Sequence, residues 1–226
     1  MTGRRVSTVS TRERATADRR RPPGNHVEEH RMGHDQHRSS EPGPTGDGFE
    51  FRGINHLALV CRDMARTVDF YTGVLGMPLI KTIALPAGMG QHFFFDCGGG
   101  DALAFFWFPD APDGVPGVSS PTGRPDQGSL TSAVGSMNHV AFAVPPEKID
   151  DYRGRLVAAG VECTDVANHD DSEWGIADVL HPGVFVRSIY FQDPDGILLE
   201  FACWTRELGP ADVAHEPARA VDAATA

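Results

Sequence analysis

One short motif occurs twice in this chain, and each copy begins the same order of predicted elements. The first copy reads N-H-L-A-L around His56, and the second reads N-H-V-A-F around His139, 83 positions later. A helix-like stretch that ends at a glycine (Gly76 or Gly160) and three strand-like runs follow each copy. Self-similarity at this scale indicates two equivalent structural units. The sequence therefore predicts an α+β fold of two tandem βαβββ modules.

The boundaries of the modules follow from local composition. Apolar periodicity is confined to residues 49–108 and 136–208, which form the two predicted modules. The segment between them, 109–135, is rich in Pro, Gly and Ser and is predicted to be a linker. Residues 1–48 and 209–226 have too little apolar content to pack, so we expect disordered tails there.

Charge and hydropathy exclude several kinds of partner. The formal net charge of −11 argues against nucleic-acid binding, which needs a basic surface. No stretch reaches the roughly 18 apolar residues of a membrane span, and the N-terminus lacks the apolar core of a secretory signal. None of the four cysteines forms a C-x-x-C pair, so reduced thiols are expected. These features predict a cytoplasmic protein without a membrane or nucleic-acid partner.

Three polar residues lie in strands that otherwise look buried. At a period of two, His56, His139 and Glu200 each share a strand face with an alanine two positions on. Removing an unpaired carboxylate from water costs on the order of several kcal/mol. Either histidine alone is compatible with a hydrogen-bonded core residue. The repeat favours a joint role, because it places both histidines at equivalent positions that a pseudo-two-fold packing can bring together.

Two imidazoles and one carboxylate are a facial set of metal ligands. They leave three adjacent positions open on an octahedral ion, a geometry associated with non-haem Fe(II) oxygenases. The last strand of the first module has Ala104 or Phe105 where the second module has Glu200. We therefore expect one site with three protein ligands for a divalent metal ion.

Residues 51–205 resemble the vicinal oxygen chelate superfamily, which includes glyoxalase I, bleomycin-resistance proteins, fosfomycin-resistance transferases and type I extradiol ring-cleavage dioxygenases. The resemblance rests on the two N-H-[LV]-A motifs, the paired modules and the terminal glutamate. It implies a half-open mixed β-sheet barrel around a metal site, and a homodimer. The stretch 179–200 is similar to the extradiol signature in these residues: Val179, His181, Ile189, Tyr190, Asp193, Pro194, Gly196 and Glu200.

The resemblance also implies roles for individual residues. His56, His139 and Glu200 would hold Fe(II), with Mn(II) or another divalent metal as the alternative. Tyr190 would face the substrate, and His181 would donate a hydrogen bond near the same edge. Similar extradiol enzymes carry a further histidine before the last strand of the first module. This chain has C-G-G-G-D-A-L-A-F-F there, so either His92 or Asp101 takes over proton transfer, or the protein has a different activity.

These features lead to a ranked set of functions. The leading expectation is an Fe(II)-dependent dioxygenase that cleaves a catecholic ring, with a small aromatic substrate and dioxygen as its partners. The second is another metal-dependent enzyme of the same superfamily, such as a glyoxalase or lyase, an isomerase or a thiol transferase. The third is a metal-free binding protein of the bleomycin-resistance type, which the retained His56, His139 and Glu200 disfavour.

Overall fold

A computed structural model describes residue 49 and residues 51–219 of the chain, so the predicted tail 1–48 lies outside the described residues. The elements of the first module are β1 His56–Cys61, α1 Met64–Val68 continued by a π-helical turn Asp69–Val74, β2 Leu79–Ala84, β3 Gln91–Gly98 and β4 Asp101–Trp107. The elements of the second are β5 Val140–Ala143, α2 Ile149–Ala158, β6 Ala167–His169, β7 Val186–Gln192 and β8 Leu198–Trp204.

The two modules have the same sheet topology. Their four-stranded sheets have the orders β1-β4-β3-β2 and β5-β8-β7-β6. In each sheet the first strand pairs in parallel with the last, and the other pairs are antiparallel. The prediction of two βαβββ modules in an α+β fold is thus confirmed, and each mixed sheet is open rather than closed into a barrel.

Local sequence explains the ends of the helices. The Asp63 side chain accepts a hydrogen bond from the Arg66 backbone N–H and caps the start of α1. After each helical segment the chain turns at a glycine with positive φ, 74° at Gly76 and 77° at Gly160. On α2, Ile149 and Leu156 are two turns apart and buried, so one face of the helix packs on the core.

The second strand of the second module, β6, begins later than its sequence pattern suggests. The run 161–166 has a strand-like sequence, but within it only Cys163 forms a bridge, to Phe191. The hydroxyl of Thr164 accepts the backbone N–H of Tyr190 at 3.0 Å, a side-chain bond in place of a ladder bond. The strand itself is the short β6 that follows.

One apolar core is shared by both modules. Alternate positions of each sheet bury their side chains in a single cluster, which includes Phe95, Leu103, Phe105, Phe142, Ile189, Phe191 and Leu199. Side chains alternate across a strand, so the intervening positions face the other way. The faces that carry His56 in one sheet and Glu200 in the other therefore point away from the shared core.

The turn between β7 and β8 is anchored on the first module. The Tyr71 hydroxyl donates to Asp193 Oδ2 at 3.2 Å, and both residues are buried. Arg66 donates to the Pro194 carbonyl at 2.9 Å, and the Arg62 backbone N–H donates to Asp195 at 2.9 Å. The first helix thus supports the hairpin that carries Tyr190 and Glu200.

The segments outside the modules are irregular but make specific contacts. In the linker 109–135, the buried Arg124 pairs with Asp126 and with Glu162, each at 3.2 Å. Beyond β8, a single 3-10 turn, Pro210–Asp212, is tied to Arg206 by an ion pair of 2.6 Å. Within the described part of the chain, no helix is long and apolar enough to cross a membrane.

Candidate metal centre

Glu200 is buried in the second sheet and meets His139. It lies in β8 opposite Ala141, with 5 % of its surface exposed, and His139 immediately precedes β5. Glu200 Oε2 is 3.0 Å from His139 Nε2. Burial raises the pKa of Glu200, but its contacts with His139 above all, and with Ser188 and Tyr190, outweigh burial, so the pKa lies below its ordinary value. The carboxylate is therefore held in its charged form.

Both ring nitrogens of His139 face oxygen acceptors. His139 Nδ1 lies 2.8 Å from Asn138 Oδ1, and the Asn138 amide nitrogen donates to the Leu130 carbonyl at 2.6 Å, which sets the orientation of the amide. A neutral imidazole has one N–H and can satisfy only one of the two oxygens. To satisfy both oxygens, the arrangement needs either a second proton on the ring or a metal ion between Nε2 and the carboxylate. A carboxylate oxygen and a ring nitrogen suit a divalent metal when a hydrogen bond at the other ring nitrogen fixes the tautomer of the imidazole.

The first module repeats half of this arrangement. His56 Nδ1 lies 2.8 Å from Asn55 Oδ1, which leaves Nε2 of this exposed residue free to act as a ligand. Ala58 pairs with Ala104 in the register in which Ala141 pairs with Glu200. Ala104 is thus the counterpart of Glu200, and the first module offers one imidazole and no carboxylate at this position.

Tyr190 lies beside the carboxylate and contacts a histidine that the sequence analysis did not identify. It pairs with Glu200 across the β7–β8 ladder, and the D-P-D-G turn at 193–196 joins the two strands. Its hydroxyl lies 3.3 Å from His169 Nε2. Burial, and then the charge of Glu200, raises the pKa of Tyr190 to about 12, so the phenol keeps its proton. The buried Ser188 hydroxyl is adjacent and has no well-aligned hydrogen bond among the described residues.

His92 forms part of an aromatic wall on the face that carries His56. Its ring stacks on Phe106 with centroids 3.6 Å apart, and Phe106 stacks on Phe108 at 5.4 Å. Phe94 lies between the two histidines, 4.3 Å from the His92 ring and 5.6 Å from the His56 ring. His92 Nε2 is buried without a hydrogen-bond partner among the described residues. Burial and the nearby His56 lower the pKa of His92, which favours the neutral ring.

A family model for the glyoxalase/bleomycin resistance protein/dioxygenase superfamily matches residues 53–201, which include both Asn–His motifs and Glu200. The chain belongs to this superfamily. The resemblance inferred from the repeat is thus confirmed, and this superfamily member has the open, paired βαβββ architecture that the resemblance implied.

Named relatives of this superfamily chain include a metallothiol transferase, a glyoxalase family protein and a fosfomycin resistance protein. It is 26 % identical over 148 residues to metallothiol transferase FosB of Shouchella clausii, which covers 66 % of this chain and 77 % of the relative. A glyoxalase family protein from Enterococcus faecalis is 24 % identical, with a TM-score of 0.47. The match covers 67 % of this chain and 98 % of the Enterococcus chain. FosX from Listeria monocytogenes, in a crystal structure with Mn(II) and sulfate, is 22 % identical, with a TM-score of 0.43. The match covers 69 % of this chain and 94 % of the FosX chain.

The predicted site residues fall into three groups in this superfamily member. Glu200, His139 and Tyr190 are brought together, whereas within the described residues no three potential ligands cluster, so His56 is not grouped with them. His92 lies near His56. The hydrogen bonds of His181 go to Asp170 at 3.1 Å and to the Gly183 backbone at 3.0 Å rather than to Glu200 or Tyr190.

His169 was missed by the sequence analysis because nothing in the pattern pointed to it. It lies in a three-residue strand that is preceded by a stretch without clear alternation. Its role depends on the register of β6 against β7, in which His169 pairs with Val186. Its contact with the Tyr190 hydroxyl is a product of that register, and no local motif encodes it.

Proposed function

We propose that this protein is a divalent-metal-dependent enzyme with a centre composed of His139 and Glu200 from one copy and His56 from a second copy. Its substrate would offer two adjacent oxygens to the metal, and the favoured reaction is cleavage of a catecholic ring beside its hydroxyl groups. Fe(II) is the favoured ion, with Mn(II) as the alternative. The observation that carries the proposal is His139, whose two ring nitrogens both face oxygen acceptors, at 2.8 and 3.0 Å.

A second copy is proposed because the ligand faces of one chain point away from its own core. The shared apolar cluster occupies the opposite face of each sheet. The His56 face leaves apolar side chains open, including Val60, which is 50 % exposed. A homodimer that places the His56 face of one copy against the Glu200 face of the other would cover both faces and supply the third ligand.

The metal would supply Lewis acidity and a template that orients two oxygens. The protein residues have separate tasks around it. Asn138 and Asn55 keep their histidines turned with Nε2 outward, by the 2.8 Å contacts at Nδ1. Tyr190, protonated at neutral pH, would donate a hydrogen bond to a substrate oxygen as negative charge develops on it, with His169 orienting the phenol.

The aromatic wall of the first module would bind the ring of the substrate. Phe94, Phe106 and Phe108 offer stacking surfaces beside His56. His92 would be the proton acceptor for a substrate hydroxyl, because its lowered pKa keeps the ring unprotonated. Ala58 and Ala104 leave room for the ring between the wall and the ligand.

The charges on these faces favour an aromatic diol over a phosphonate. Among the strand positions that share the His56 and Glu200 faces, Lys81, opposite Phe94, is the one Lys or Arg. Arg187 in β7 faces the other way and binds Asn168 and Asp150. A doubly charged phosphonate would require a cluster of cations, preferably arginines with their fork of donors.

A second candidate is the opening of an activated small molecule by a thiol, and it is favoured by the similarity to FosB, a metallothiol transferase. The same ligands and the same Tyr190 would serve that reaction. The two candidates differ in what they consume, since ring cleavage takes up dioxygen and thiol transfer consumes a thiol.

One experiment separates these candidates. The protein is loaded with Fe(II) under anaerobic conditions and given a panel of catechols, with oxygen uptake and the absorbance of ring-cleavage products as readouts. A parallel series contains Mn(II), fosfomycin and low-molecular-weight thiols, with mass spectrometry of the adducts. Oxygen uptake that depends on catechol supports the proposal. Thiol adducts without oxygen uptake would replace it with the second candidate, and protein purified without any bound metal would contradict both.

A further inference from the structure

A cavity of about 370 Å³ lies between the two modules, on the reverse of the sheet that carries Glu200. Phe142 and Phe201 line it, and they follow Ala141 and Glu200 directly in β5 and β8. Neighbouring residues in a strand point to opposite faces. The cavity is therefore separate from the candidate metal centre, although it shares two strands with it.

The walls of this cavity are mainly apolar and come from both modules. They are formed by Val74, Met77, Pro78, Phe142, Leu156 and Phe201. Tyr152 packs edge-on against Phe201, with ring centroids 5.8 Å apart. A volume of this size falls within the range of small-molecule sites, and aromatic walls suit a flat apolar ligand.

The lining of the cavity includes one cation, Arg155. The Arg155 guanidinium lies over the ring of Tyr152, 5.2 Å from its centroid. Within the described part of the chain, neither the guanidinium nor the Tyr152 hydroxyl makes a hydrogen bond or an ion pair. The carboxylate among the lining residues, Asp96, accepts a backbone hydrogen bond from Gly98 at 2.8 Å and forms no ion pair with Arg155. A guanidinium that lies over an aromatic ring and forms no ion pair keeps its fork of donors available for a carboxylate.

We propose that this cavity is a second ligand site, which binds a monocarboxylate with a planar apolar tail. The tail would lie between Phe142 and Phe201, and the carboxylate would accept hydrogen bonds from Arg155 and Tyr152. The site needs neither the metal nor a second copy of the chain, so it is independent of the proposed catalytic function.

The test uses three probes with the same ring system and different head charges: 2-naphthoate, 2-naphthamide and 2-naphthylmethylammonium. Binding to the metal-stripped full-length protein is measured by isothermal titration calorimetry. We expect 2-naphthoate to bind best and the ammonium probe worst. Arg155→Gln should weaken 2-naphthoate roughly tenfold, which corresponds to about 1.4 kcal/mol, and should leave 2-naphthamide unchanged. Lys148→Gln removes a charge from the start of the same helix outside the cavity and is the matched control.

Two further measurements locate the bound probe. Cys97 lines the cavity, so saturating 2-naphthoate should slow its alkylation by N-ethylmaleimide, measured by peptide mass spectrometry, without slowing that of Cys163. Glu200→Gln should bind 2-naphthoate with wild-type affinity, which separates this site from the metal centre. Equal affinity for all three probes, an unchanged affinity in Arg155→Gln, or the loss of binding in Glu200→Gln would overturn the proposal.

Discussion

Ala104 in the first sheet occupies the register position that Glu200 occupies in the second. Ala104 pairs with Ala58, and Glu200 pairs with Ala141, in strands of equivalent order. The duplicated modules therefore share a backbone but not a ligand set. At these repeated positions each chain carries two histidines, His56 and His139, and one carboxylate, Glu200, which is enough for one three-ligand centre per copy.

Replacing Glu200 with Gln should remove the metal with little effect on folding. Gln keeps the volume and one acceptor oxygen, so the free energy of unfolding of the apo protein should fall by about 1 kcal/mol. The centre would lose its negative charge and retain a weak pair of imidazoles. Elemental analysis measures the metal, and thermal unfolding measures the fold. Glu147→Gln, at the exposed start of the second helix, is the control. Wild-type metal content in Glu200→Gln would show that Glu200 is not a ligand.

A centre shared between two copies predicts complementation between defective variants. His56→Ala and Glu200→Gln should each bind no metal when alone. In a dimer of the two, one centre has all three ligands and the other lacks two of them. Random pairing after joint refolding should restore about one quarter of the wild-type metal content. A mixture with no more metal than the separate variants would place all the ligands within one chain, and sedimentation velocity would show whether dimers formed.

Tyr190→Phe should keep the metal and slow turnover. The phenol pairs across the ladder with Glu200 and holds its proton because its pKa is raised to about 12. Its hydrogen bond should strengthen as charge develops in the transition state, so kcat should fall by about 10²–10⁴ with a smaller change in KM. His169→Asn should give a smaller loss in kcat, since it changes only the orientation of the phenol. Steady-state kinetics on the best substrate decide this, and an unchanged kcat in Tyr190→Phe would reduce its role to packing.

The buried pair of Asp193 and Tyr71 predicts a pH dependence of stability. Burial raises the pKa of Asp193 from 3.8 to about 6, so the folded state binds this proton more tightly than the unfolded state does. The favourable contribution is complete below about pH 3.8 and is lost as the pH rises through about 6. Asp193→Asn keeps the acceptor for the backbone N–H groups of Asp195 and Ile197 and carries no charge.

The Asp193→Asn variant should therefore gain stability relative to the wild type between pH 4 and pH 7.5, by at most about 3 kcal/mol. Urea unfolding of both proteins across this range measures the difference. The comparison between the variant and the wild type cancels the titration of the other groups. A difference that stays constant with pH would show that Asp193 does not titrate in this range.

The sequence alone was sufficient for the modular architecture. The spacing between His56 and His139, and the glycines after each helical stretch, reflect local rules of strand alternation and helix termination. The pairing of Tyr190 with Glu200 was also predictable, because a tight D-P-D-G turn sets the register of the strands that it joins. These features depend on neighbours in the chain.

Tertiary packing decided which of the predicted residues meet. The two sheets bury their apolar faces in one core, which turns the His56 face and the Glu200 face outward and leaves His56 apart from His139. The partner of Tyr190, His169, depends on the register of a three-residue strand, and the buried, unpaired Nε2 of His92 depends on stacking against Phe106. Local patterns carry no information about these contacts, because burial of apolar surface is non-directional and selects the arrangement of whole sheets rather than individual pairs.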